Sequence, residues 1–310
     1  MAQISIAGHR GFKELYPENS LFGYEKAYEA GADVIETDLQ LSHDGILVIS
    51  HDTSTKRVYG QDFIIGDTNY SPDLENLETV NEPHAKMIKF VELCKWCLNK
   101  KSNDGRKIKL MLDIKPNYDP KRMIGKILIA LQEVEEDLEI WKELIIFGIW
   151  SPTYYFEFMD GFEIINISFD LDNSIKFIDS VKSQGGKVTA ISIVHFVVNN
   201  AYTKKKLDQL LIENTDLKVW FWTVNDYTTY LRCKNSLPIN KLNGFITDNP
   251  FKFKEFINKS LALKLIPKES CLQKLYSFTT GWFYLGLLNL HHKGYRITRA
   301  VQFLQSLGIM

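Results

Sequence analysis

The chain opens Ile4-Ser5-Ile6-Ala7-Gly8-His9-Arg10, an apolar-alternating run that stops on a histidine and an arginine. Such alternation reads as a strand, and the charged pair marks where strand gives way to loop. A doubly wound open sheet usually follows its first strand with a glycine-rich phosphate turn, and this turn carries His-Arg instead. Working outward, strands are expected at residues 4–8, 34–39, 109–114, 145–149, 163–168, 188–193, 218–223 and 244–247. Helical patterns fall between them, at 19–30, 86–98, 174–183 and 203–213. Eight successive β-then-α units rich in Ile and Val predict an α/β fold, a (β/α)8 TIM barrel, over residues 1–258.

Two departures from a plain barrel are expected. After the second strand, Ser42–Gly45 reads as a turn and residues 46–50 as a further β-rich run ending at His51. That is a hairpin extending the second strand past the rim, with residues 52–83 as a polar insertion over one face. At the other end, residues 259–275 read as a linker and 276–310 as a hydrophobic tail. Residues 276–290 are aromatic-rich and uncharged, 291–299 basic, and 300–310 apolar again. Each apolar piece is shorter than the roughly 18–20 residues a membrane-spanning helix needs. With Trp and Tyr beside a basic stretch, the tail is expected to lie in a membrane interface or form a shallow hairpin.

Composition excludes some functions. Of 310 residues, 45% are hydrophobic and 24% charged, as in a globular protein with a sizeable core. The formal net charge of −1 supplies no global field for nucleic acid, so none is expected as a partner. Four cysteines suit a reducing compartment. Cys94 and Cys97 form a C-x-x-C, but inside an apolar-periodic segment and without a second ligand pair, so a buried helix face accounts for them. The first strand begins without a leader ahead of it, which places the barrel on the cytosolic side as an expectation.

In a barrel of this kind, chemistry sits where strands end and βα loops begin. Those positions carry His9-Arg10, Glu36-Thr37-Asp38, His51-Asp52, Asp113-Ile114-Lys115, His195, Trp222-Thr223-Val224-Asn225 and Asp248. Glu36 and Asp38 lie two apart on a strand and share a face. Leaving both bare and buried would cost several kcal/mol or more. A divalent cation with Asp113 as third ligand relieves this, and an all-oxygen donor set suits Mg²⁺ or Ca²⁺. A salt-bridge cluster with Arg10 and Lys115 is the alternative, but two cations do not neutralise three carboxylates. His9 and His51 are the expected acid–base pair, with Arg10 and Lys115 on phosphate oxygens. Glu18 suits a helix start and could also orient Arg10. His195 is balanced between a head-group contact and a core cap. His43 and His84 are expected to be exposed.

The sequence of Gly-His-Arg, Pro-Glu-Asn-Ser, Glu-Thr-Asp and His-Asp, then Leu112-Asp113-Ile114-Lys115, Trp222-Thr223-Val224-Asn225 and Gly244-Phe245-Ile246-Thr247-Asp248, resembles the glycerophosphodiester phosphodiesterase family, from residue 3 to about 256. The resemblance implies His9 and His51 as acid and base, Glu36 and Asp38 as metal ligands, and Arg10 as the phosphate contact. Most members have Glu where this chain has Asp113. Within the family the chain looks most similar to the fungal phosphatidylglycerol phospholipase C branch. That implies cleavage of phosphatidylglycerol to diacylglycerol and glycerol phosphate by attack of the head-group 2-hydroxyl, with Trp222 and His195 as further substrate candidates. It also implies a membrane-associated protein on the cytosolic face of lipid droplet, mitochondrion or endoplasmic reticulum. Phosphatidylcholine and phosphatidylethanolamine lack the hydroxyl and should be poor substrates. The other readings are a soluble glycerophosphodiesterase acting on deacylated lipid and a non-catalytic membrane lipid-binding protein.

Overall fold

The structure, a computed structural model, describes residues 4–103, 107–262, 279–284 and 286. Its strands are β1 (Ser5–His9), β2 (Val34–Leu41), β3 (Leu47–Ile49), β4 (Lys109–Ile114), β5 (Ile145–Ile149), β6 (Glu163–Ser168), β7 (Ala190–Val194), β8 (Lys218–Trp222) and β9 (Leu242–Thr247). All but β3 run parallel in the order β1-β9-β8-β7-β6-β5-β4-β2, and β1 pairs with β2 to close the barrel. The expected (β/α)8 barrel is therefore the observed one. β3 lies antiparallel to β2, with Leu39 opposite Ile49, which is the hairpin read from Ser42–Gly45.

Helices α1 (Leu21–Glu29), α2 (Lys56–Tyr59), α3 (Phe90–Asn103), α4 (Pro120–Val134), α5 (Leu138–Leu144), α6 (Leu171–Ser183), α7 (Ala201–Glu213), α8 (Tyr227–Ser236) and α9 (Pro250–Ala262) cover the barrel. Helix α9 runs past the domain boundary expected at 258. Their starts follow local chemistry. The Ser20 hydroxyl accepts from the Gly23 N–H at 3.0 Å, and Asp119, Asp170 and Asp226 cap α4, α6 and α8 in the same way. Helix α3 begins at Phe90 rather than at the expected residue 86. The apolar residues just before it are used in sheet-like pairing, since the Met87 N–H donates to the Leu77 carbonyl and Ile88 O accepts from the Ile49 N–H.

Two apolar layers fix the barrel. Ile35, Leu110, Leu112, Phe147, Ile164 and Ile191 pack outward against the helices, and Cys94 and Cys97 lie fully buried within that layer. Ala7, Val34, Met111, Ile146, Ile165, Ala190, Trp220 and Ile246 plug the interior. Each large aliphatic side chain fully buried there contributes roughly 1.5–3 kcal/mol. Gly244 leaves room for the Trp220 ring: a Cβ at that position would stand 2.5 Å from Trp220 Cζ3 and 2.4 Å from the Ser5 carbonyl. Ile246 of this layer forms part of the floor over which the cavity described below opens.

The insertion after β3 is not only polar. Val48, Tyr59, Ile65, Leu74, Leu77 and Met87 form a satellite core that holds it against the rim. Of the expected tail, residues 279–284 are described and helical, and they pack on the barrel. The Tyr284 ring is buried against Phe196, and its hydroxyl donates to the Phe169 carbonyl. Asn199 Nδ2 donates to Thr280 Oγ1 at 3.1 Å. Most of residues 276–310, and Cys271, lie outside the described residues. Among the described residues, no helix is long and apolar enough to cross a membrane.

Candidate active site

A cavity of about 1030 Å³ opens at the C-terminal ends of the strands. Its lining divides by strand. β1, β2, β4 and the loop after β3 bring His9, Arg10, Glu36, Asp38, Asp113, Lys115, His51 and Asp52; the β5–β9 side brings Trp150, Ile167, Phe169, Trp222 and Ile246. One half is ionic and the other mainly apolar, with Ser192 and Thr223 as its polar members.

The carboxylates form the centre of the ionic half. Glu36, Asp38 and Asp113 are only 5%, 1% and 8% exposed, and each offers an oxygen within 4.8 Å of the others. Pairing of β2 with β4 sets this, because Asp38 lies opposite Asp113. Burial, then Asp38 and Asp113, push the Glu36 carboxyl well above the usual carboxylate range. Burial acts the same way on Asp38, but Lys115, His51 and Arg10 outweigh it and hold Asp38 well below that range. Lys115 Nζ pairs with Asp38 and stands 3.0 Å from Asp113 Oδ2. Thus the salt-bridge partners considered from sequence are present and still leave Glu36 under repulsion. A buried three-oxygen cluster that its own lysine and arginine do not neutralise fits a hard divalent cation.

Arg10 is held in the left-handed region, at φ 52°, in the turn that Gly11 (φ 91°) completes. A non-glycine residue there is uncommon, and the turn puts backbone and side chain to separate uses. Its N–H donates to Glu36 Oε2 at 2.8 Å, and its NH1 to Glu18 Oε1 at 3.0 Å. Its Nε lies 3.4 Å from Asp38 Oδ2 but is buried without a hydrogen bond. Glu18 also accepts both terminal nitrogens of Arg57, at 2.7 and 2.8 Å. Burial opposes ionisation of Glu18, yet Arg57 and Arg10 bring it down to about 2. Glu18 is therefore hydrogen-bonded to both Arg10 and Arg57.

Each histidine meets an aspartate. His9 Nδ1 stands 2.6 Å from Asp248 Oδ1, and His51 Nδ1 2.7 Å from Asp52 Oδ1. Asn225 Nδ2 donates to Asp248 Oδ2 at 2.8 Å, and Arg57 Nε donates to Asp52 Oδ2 at 2.6 Å. Burial and Arg10 lower His9 to about 4 against the pull of Asp248, and burial likewise lowers His51. In each ring Nδ1 faces a carboxylate, which leaves Nε2 as the nitrogen that can exchange a proton with a bound substrate.

His9, Arg10, Glu36, Asp38, His51, Asp113, Lys115 and Trp222 thus come together around one cavity, with Glu18 behind Arg10. His195 does not join them. It is buried against Phe196, with its Nδ1 unpartnered, and burial lowers it to about 4. It caps the core. His43 and His84 are exposed, as expected. Sequence reading gave no role to Asn19, Asp52, Arg57, Trp150, Phe169 or Asn225, and none to Asp248. Asn19, at φ 54°, donates Nδ2 to Asp38 Oδ2 at 3.0 Å. The visible hints were the Asp after His51 and the Asn225 and Asp248 strand ends.

Three buried carboxylates that could hold a metal ion, two His–Asp pairs and a buried arginine thus share the C-terminal rim of a closed (β/α)8 barrel. The chain belongs to the Glycerophosphoryl diester phosphodiesterase family, whose model matches residues 9–252. It is 43% identical over 65 residues to a glycerophosphodiester phosphodiesterase of Bacillus altitudinis, covering 21% of this chain and 26% of that one. The alignments span about a quarter of the length of the first curated relatives it matches. Among solved structures, the glycerophosphodiester phosphodiesterase of Thermotoga maritima superposes with a TM-score of 0.59 at 22% identity, covering 82% of this chain and 99% of that one. An Oleispira antarctica phosphodiesterase in complex with the product sn-glycerol-3-phosphate superposes at 0.62 with 19% identity, covering 82% and 96%. At these identities the superpositions show the shared fold.

Proposed function

We propose that the chain is a metal-dependent phosphoric diester hydrolase that cleaves glycerophosphodiesters and releases glycerol phosphate. The observation that carries this is the convergence of both His–Asp pairs, Arg10 and the three carboxylates on one cavity. Family membership and the product-bound Oleispira relative support the same substrate class. Glu36, Asp38 and Asp113 would hold the divalent cation, Mg²⁺ or Ca²⁺, which supplies Lewis-acid polarisation of a phosphoryl oxygen.

The remaining work falls to this chain's own side chains. Arg10, held by Glu18 and lining the cavity, grips a non-bridging phosphate oxygen, and Lys115 offsets the charge that accumulates there. One imidazole accepts at Nε2 the proton of the attacking hydroxyl as its oxygen bonds to phosphorus. The other, which takes up a proton when the anionic diester binds beside it, gives that proton to the departing alcohol oxygen as the second P–O bond breaks, and glycerol keeps the phosphate. Asp248 and Asp52 keep each ring in the tautomer this requires.

A narrower reading is cleavage of phosphatidylglycerol to diacylglycerol and glycerol phosphate, and the apolar half of the cavity favours it. Trp150, Ile167, Phe169, Trp222 and Ile246 are a poor match for a fully polar substrate and a good one for the glyceride side of a lipid. The head-group 2-hydroxyl would serve as the internal nucleophile, with a gain in pre-organisation, and water would then open the cyclic phosphate. Trp282 and Phe283, 59% and 49% exposed next to the buried Tyr284, would rest on a membrane or lipid-droplet surface on the cytosolic side, whether droplet, mitochondrial or endoplasmic reticulum.

Phosphorus NMR of the products from glycerophosphoglycerol, dispersed phosphatidylglycerol and dispersed phosphatidylethanolamine tests both readings. Turnover of the first alone supports the broader reading and ends the narrower one. Turnover of phosphatidylglycerol but not phosphatidylethanolamine supports the lipase, and turnover of none of the three sinks the hydrolase reading.

A further inference from the structure

We propose that Trp150 is a positioning residue for the metal site, its indole N–H fixing the Asp113 carboxylate as the third oxygen ligand; the proposal rests on the metal-dependent reading above. Asp113 on β4 lies opposite Gly148 on β5. Gly148 brings no side chain to that level, and none would fit: a Cβ there would stand 2.8 Å from Ile167 Cδ1 and 2.9 Å from the Leu112 carbonyl. The next residue on the same face of the chain is Trp150. Its Nε1 donates to Asp113 Oδ1 at 2.6 Å, while Lys115 Nζ takes Oδ2 at 3.0 Å.

The two donors are not equivalent. Lys115 also pairs with Asp38, so it is shared between two carboxylates and singles out neither. The indole N–H among these contacts serves Asp113 alone. It is uncharged and donor-only, so it orients an oxygen without repelling a cation, and each carboxylate oxygen keeps a further lone pair for a ligand bond. The ring cannot follow a wandering carboxylate, because it is wedged against Phe169 and Trp222 at centroid distances of 5.2 and 6.3 Å. Trp150 thus ties the acidic half of the cavity to its apolar half. An aspartate is one methylene shorter than a glutamate and reaches less far, so a fixed direction matters more for it. Outer partners that orient metal-ligating carboxylates typically govern metal affinity by about 10–100-fold.

The test is Mn²⁺ binding to the full chain by titration calorimetry, using Trp150→Phe, which keeps ring packing and deletes only the donor. The variant should bind Mn²⁺ about 10–100-fold more weakly, recover most of its kcat at saturating metal, and melt close to the wild type. In an Asp113→Ala background, Trp150→Phe should change Mn²⁺ affinity no further, since the acceptor is already gone. Unchanged affinity in the single variant, or an equal loss in both backgrounds, overturns the proposal. A wild-type chain that takes up no divalent ion overturns the metal reading itself, whereas wild-type binding with an unaffected Trp150→Phe overturns only the role of Trp150.

Discussion

His9 and Asp248 lie 239 residues apart in sequence, and His9 Nδ1 meets Asp248 Oδ1 at 2.6 Å where β1 and β9 close the barrel. The carboxylate sets the tautomer, so Asp248→Asn should lower kcat by about 10²–10⁴-fold, the usual worth of acid–base catalysis. Asn225→Ala, which frees only the far oxygen of Asp248, should cost less. Steady-state kinetics on both variants checks this; an Asp248→Asn enzyme with near-normal kcat would show that the pair does not serve catalysis.

Glu36 offers a test that separates fold from activity. Its carboxyl is raised by burial, Asp38 and Asp113, so the metal-free fold loses stability as pH rises from the ordinary glutamate value through the raised one. In EDTA at pH 7, Glu36→Gln should therefore melt above the wild type. With saturating metal the order should reverse, and activity should be lost. Melting curves in the two conditions decide it, and a Glu36→Gln protein less stable in both would contradict the repulsion described here.

The core histidine should be visible in stability. His195 is lowered from 6.5 to about 4, so between those pH values the unfolded chain binds a proton that the folded chain refuses. Stability should fall as pH drops from 6.5 toward 4, by roughly 3 kcal/mol from this residue. His195→Leu should flatten that slope in urea denaturation series and leave kcat at pH 7 little changed. A large loss of kcat would return His195 to the substrate site.

Much of this was legible in the sequence, and the parts that were not share a cause. The strands of the barrel show as Ile- and Val-rich runs, because burial on both faces leaves a dense local signal. Glu36 and Asp38 announce themselves by sharing a face. Asp248 with His9, Trp150 with Asp113 and Arg57 with Glu18 join residues on different elements, and only the closed sheet or the docked insertion brings them together. Residues 86–89 repeat like a helix, yet their backbone pairs with the insertion and with β3.

The docked piece of the C-terminal segment makes a further prediction. Tyr284→Phe removes the hydroxyl that meets the Phe169 carbonyl and should cost about 0.5–1.5 kcal/mol. Truncation before residue 276 would also uncover Phe196 and lose the Tyr284 packing. The truncated barrel should melt lower yet stay folded, cleaving dispersed substrate and acting poorly on vesicles. Calorimetry with vesicle and micelle assays would decide this. An unfolded truncation, or full activity on vesicles, would contradict it.

Metal dependence of phosphodiester cleavage can be read from a single add-back titration. The full chain, stripped with EDTA, is assayed for glycerol phosphate release from glycerophosphoglycerol as Mg²⁺ or Ca²⁺ is added back, beside Glu36→Gln and His9→Ala. The expected result is no release without metal, restoration in the wild type, and loss in both variants at every metal concentration. Release that survives EDTA, or that persists in Glu36→Gln, would contradict the metal site, and no release under any condition would contradict the hydrolase.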